Sequence, residues 1–110
     1  MNTTLKNLSE IVASANDLLY VKFKNINAVM GIMDKNLRKQ GMAADAITID
    51  CLAMEKKIVI FIQDDRPDTV DIALGNKAGD IHSCTTHAIS DISEAFILQL
   101  MQANFTASAD

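Results

Sequence analysis

Large apolar residues recur along residues 5–37 at Leu5, Leu8, Val12, Leu19, Phe23, Ile26, Met30, Met33 and Leu37, with Ala15 filling the gap. The steps are threes and fours, so the side chains form one stripe on an α-helix. Lys6, Glu10, Asp17, Lys24 and Lys35 lie near the opposite side. The spacing predicts a long helix from about residue 4 to Gly41, capped by Thr3 or Thr4 and stopped by the glycine. Such a helix would measure about 55 Å, whereas a domain of this size is about 35 Å across. It must break near Ser14-Ala15-Asn16-Asp17, or a second copy of the chain must cover its apolar end. Residues 18–24 also alternate in a way that suits a strand, but the helical phase continues on both sides, and the helix is preferred.

After residue 41 the period changes. Ile47, Ile49 and Cys51 alternate with Thr48 and Asp50, and Val70, Ile72 and Leu74 alternate with Asp71 and Ala73. Between them, Ile58-Val59-Ile60-Phe61-Ile62 is a β-branched run of the kind that fills a central strand. Met54-Glu55-Lys56-Lys57 and Asp64-Asp65-Arg66-Pro67-Asp68 read as turns, so the strands form an antiparallel meander. Gly75-Asn76 marks another turn, and residues 77–84 supply a weaker fourth strand anchored by Ile81. A last helix begins near the capping-box pair Asp91 and Glu94 and is apolar around much of its girth, through Ile92, Phe96, Ile97, Leu98, Leu100, Met101 and Phe105.

The expected architecture is therefore α+β: a long N-terminal helix, three to four antiparallel strands and a C-terminal helix, with both helices on one face of the sheet. Residues 1–105 form one domain and residues 106–110 a frayed tail. Strand 58–62 is apolar on both sides, so the second face of the sheet also needs cover. With the overhanging helix and the all-round apolar last helix, this predicts a homodimer. Leu19, Phe23, Ile26, Met30, Met33, Ile97 and Met101 are the candidate interface residues.

Composition narrows the function classes. The chain has 110 residues, is 49% hydrophobic and carries a net charge of −4. That acidity argues against nucleic-acid binding, and the absence of a long apolar run argues against a membrane span. Two cysteines without a secretory leader suit a cytoplasmic protein with reduced thiols. The charge is uneven, +3 over residues 1–40 and −7 over residues 41–110, so the basic first third could dock on an acidic body. Lys35, Arg38 and Lys39 equally suit a helix C-terminus, which is the simpler account.

The candidate chemistry lies in His82-Ser83-Cys84-Thr85-Thr86-His87. Imidazole and thiolate ligands suit zinc, and His82, Cys84 and His87 would make an open three-ligand site. Cys84 with His87 as base and Asp91 orienting it would be a nucleophile arrangement. The plainer reading is two surface histidines and one packed thiol. Asp64, Asp65, Asp68 and Asp71 lack the glycine and glutamate of a calcium loop and read as a charged hairpin tip. No cofactor motif is present. The resulting expectation is a non-catalytic, homodimeric protein-interaction module of chaperone or adaptor type, with the metal or thiol site as the alternative. Its element order is loosely similar to the front half of small secretion chaperones.

Overall fold

The three alternating segments form strands, but Lys56, Lys57, Gly75 and Asn76, expected in turns, lie inside them, because each pairs across the sheet. The strand expected at 77–84 lies at 81–88, and residues 28–33 add a fifth. The computed structural model describes residues 3–24, 26, 28–51, 54–76 and 78–106, the side chain of Thr106 excepted. In chain order the elements are α1 (Thr3–Lys22), β1 (Ala28–Met33), α2 (Lys35–Lys39), β2 (Ala44–Cys51), β3 (Lys56–Gln63), β4 (Thr69–Asn76), β5 (Ile81–Ala88), a 3-10 turn (Ile89–Asp91) and α3 (Glu94–Thr106). The strands form one antiparallel meander in the order β1-β2-β3-β4-β5. The fold is α+β, with five strands where three to four are expected.

Pleating sends alternate residues to opposite faces. Ile47 pairs with Ile60 and Ile49 with Ile58, and Ile60 pairs in turn with Ile72. These isoleucines, with Ile62 and Val70, share the face covered by helices and are buried. Leu5, Leu8, Val12, Ala15 and Leu19 of α1 complete this core with Ile97, Met101 and Phe105 of α3. The two helices also pack on each other, where the Ser14 hydroxyl of α1 donates to the Glu94 carboxylate of α3. Ser93 caps α3, its hydroxyl accepting from the Phe96 N–H at 3.1 Å, in place of the expected Asp91.

The long N-terminal helix is the main correction. α1 ends at Lys22, before Asn25-Ile26-Asn27, a sequence poor in helix formers. The second half of the apolar stripe becomes β1 and α2. Residues 18–22 are helical, as preferred over the strand alternative. The expected stop at Gly41 is real but belongs to α2: Gly41 has φ of +87°, and the Gly41 and Met42 N–H groups donate to the Arg38 and Leu37 carbonyls. At 20 residues α1 spans about 30 Å, inside the 39 Å long axis of the molecule. The overhang that called for a second copy is therefore absent. Thr3 is already helical; of the expected tail 106–110, Thr106 is the last residue of α3 and residues 107–110 lie outside the described residues.

Parity of burial can be tested directly. Ile60→Ala opens a cavity under both helices and is expected to cost about 2–5 kcal/mol, whereas Val59→Ala, one residue away on the other face, costs under about 1 kcal/mol. Urea denaturation of the two variants measures the difference, and equal losses would mean that the faces are misassigned.

Candidate interaction surface

The face of the sheet opposite the helices is the bare face in the sense that no helix of the described residues covers it. Val29, Met33, Cys84 and Thr86 are exposed toward its edges, Val59 and Phe61 are half-buried, and Ala46, Thr48 and Ala73 are buried between their neighbours. One row across it runs Gly31, Thr48, Val59, Ala73 and Cys84, and the next runs Met33, Ala46, Phe61, Asp71 and Thr86. A third row begins with Val29, Asp50, Lys57 and Gly75. A solvated antiparallel face is normally polar, yet most of these positions are apolar or small. Val29 and Met33 are 48% and 37% exposed. A Cβ at Gly31 would lie 2.8 Å from the Thr48 hydroxyl, so a larger residue there would force the threonine side chain to move.

At one end of this face Met42, Ala44, Phe61 and Gln63 line an open cleft of about 770 Å³. Asp64 and Asp65 lie at its rim. The shape is set from behind by Arg38 of α2. Its guanidinium donates to both carboxylate oxygens of buried Asp45 at 3.1 Å and to both of Asp64 at 2.9 and 3.0 Å. This double fork ties α2 to β2 and to the turn after β3. The Arg38 hydrogen bond holds the Asp64 carboxyl below the usual carboxylate range, and Asp64 and Asp45 together raise the guanidinium pKa.

The charged residues of this face hold partners, on the face itself or in the turn after β3. Lys57 Nζ lies 3.7 Å from Asp50, and Arg66 lies 2.6 Å from Asp71. Asp71 also accepts from the Thr86 hydroxyl at 2.7 Å and from the Gln63 amide at 2.8 Å. Thr86 foremost, with Gln63 and Arg66, lowers the Asp71 pKa against the opposing effect of partial burial.

The sequence-predicted site residues separate. Leu19, Ile97 and Met101 lie in the hydrophobic core and offer no surface. Ile26 and Met30 pack against that core, and Phe23 is exposed after the end of α1. Met33 alone of the seven lies on the bare face. Cys84 pairs with Ala73 on that face, but His87 pairs with Val70 and projects from the other, where its ring meets Phe96 edge-on at 5.1 Å. The His87 Nε2 shares a 2.8 Å hydrogen bond with the Thr85 hydroxyl. His82 instead lines a separate hollow beside Glu55 and Asn76. Cys51 is buried on the helix side, away from Cys84. Among the described residues no three His, Cys, Asp or Glu side chains converge as a metal site.

Sequence reasoning found strand 58–62 apolar on both sides without deciding which residues face which way. The structure puts Val59 and Phe61 on the face away from the helices, and Val29 and Gly31, expected within the long helix, join them there. Among the described residues no helix is long and apolar enough to cross a membrane.

Asp64 and Asp71 make a pH prediction. Their folded pKa values lie below the unfolded value of about 3.9, so their stabilisation is present above that value and is lost as pH falls through the folded ones. Melting temperature is expected to drop between about pH 5 and pH 2. Asp71→Asn should lower the melt at neutral pH and flatten the acid limb; parallel curves for variant and wild type would exclude the role of Asp71. In comparisons with known proteins, no family model, no curated protein and no solved structure matches the chain.

Proposed function

We propose that the chain is a non-catalytic protein-interaction module that works as a homodimer, two copies meeting through their bare sheet faces. The observation that carries this reading is a largely apolar sheet face whose charged residues Asp50, Lys57 and Asp71 already hold counter-ions, Asp71 from Arg66 in the turn after β3. A second copy laid over it removes Val29, Met33, Val59 and Phe61 from water and leaves neither ion pair without its partner.

The size is adequate. Five strands at about 4.8 Å spacing and about 25 Å long offer roughly 600 Å² per copy, or about 1,200 Å² for the pair. That is the lower end of stable interfaces, and sheets packed this way stand about 10 Å apart. Two free thiols, one exposed, support a reducing, cytoplasmic setting.

Light scattering is expected to report twice the 12.0 kDa chain mass. Phe61→Asp places a charge on the central strand of the face and should weaken pairing by at least about 30-fold, as loss of an aromatic anchor does. Its circular dichroism should be unchanged. A wild-type protein that stays monomeric at millimolar concentration would remove the dimer.

A further inference from the structure

The edge of the sheet formed by β5 carries a second, independent surface. The Ile89 N–H donates to the Asp68 carbonyl at 2.9 Å. Bonded and non-bonded pairs alternate along an antiparallel ladder. His87, Thr85 and Ser83 therefore turn their backbone groups toward β4, and Ala88, Thr86 and Cys84 turn theirs outward. The other end agrees: the Asn76 N–H donates to the Asp80 carbonyl at 3.0 Å, which puts Asn76, Leu74, Ile72 and Val70 in the same phase.

Natural edge strands are usually blunted by Lys, Pro, a bulge or a covering element. Residues 81–88 contain no charged residue and no proline. The irregularity in the ladder falls at Leu74/Gly75, so the pairing from Ser83 to Ala88 is regular. The opposite edge differs, because the Asn16 side chain of α1 donates to the Ala28 carbonyl of β1 at 3.2 Å.

Charge selects the occupant. No Lys or Arg follows Lys77 in the sequence. Asp80 precedes β5, Asp91 follows it and Asp68 lies beside Ile89; all three carboxylates are on exposed residues. We propose that β5 accepts an extended peptide segment of a partner protein, β-branched through its middle and basic at its ends, as a sixth strand. Pairing of β5 with its own copy is disfavoured. A two-fold centred near Thr86 sets each Asp80 beside the copy's Asp91, and like charges across strands repel. Face-to-face dimerisation leaves this edge free, so the two surfaces can be tested apart.

The probe is a synthetic Lys-Val-Thr-Val-Thr-Val-Lys peptide, with Glu replacing both Lys in the control. The basic peptide is expected to slow amide exchange at Cys84, Thr86 and Ala88 by at least about tenfold. Its binding should weaken as salt approaches ~1 M, where screening acts within about 3 Å. Cys84→Pro deletes an N–H that the β4 ladder does not use, so the fold should persist and binding should vanish. The double variant Asp80→Lys, Asp91→Lys should transfer preference to the Glu peptide, and it decides alone should Cys84→Pro fail to fold. Phe61→Asp should bind the basic peptide as wild type does, which separates this surface from the dimer. Equal binding of both peptides, protection at Val29 and Met33 instead, or a wild-type assembly that Cys84→Pro dissociates would each overturn the proposal.

Discussion

The register between β2 and β3 is the constraint on which the remaining structure depends. Ile47 against Ile60 and Ile49 against Ile58 put four β-branched side chains on one face. A slip of one residue would exchange them for Thr48, Val59 and Phe61 and send the isoleucines into water. Burying an isoleucine fully is worth about 1.5–3 kcal/mol, so the slipped pairing is heavily disfavoured. Once this pair is set, β1 and β4 extend it, and the side on which the helices pack is decided.

The same parity explains what could be read from the sequence. β2, β3 and β4 announce themselves because they are central and one of their faces is fully covered. β1 was hidden by a coincidence of spacing. Ile26, Met30, Met33 and Leu37 continue the steps of α1, yet in the fold Met30 faces the core from a strand, Met33 faces away, and Leu37 belongs to a separate short helix. Gly31, a poor helix former within the expected long helix, instead sits in β1 opposite Thr48, whose hydroxyl a Cβ there would approach to 2.8 Å. β5 lacked an apolar alternation because it is an edge strand exposed along most of its length. Its Thr85 and Thr86 were the available signal, one of propensity rather than pattern.

The site was less legible than the fold. Of the three sequence arguments for a dimer, the overhanging helix is gone. The apolar girth of α3 is largely accounted for by α1 on one side and the sheet on another. The bare sheet face remains and supports pairing through other residues than most of those first named. The His82, Cys84 and His87 grouping shows why proximity in sequence is a poor guide on a strand: residues three apart project from opposite faces.

The two helices that roof the sheet are separated by all five strands, and each leans on the other. While the chain emerges from a ribosome, α1 can settle on the first hairpins, but half of the roof is still unmade until α3 has been synthesised. The isoleucine face thus stays partly wet through most of translation. The nascent chain, rather than the finished one, is then the form most exposed to unwanted association.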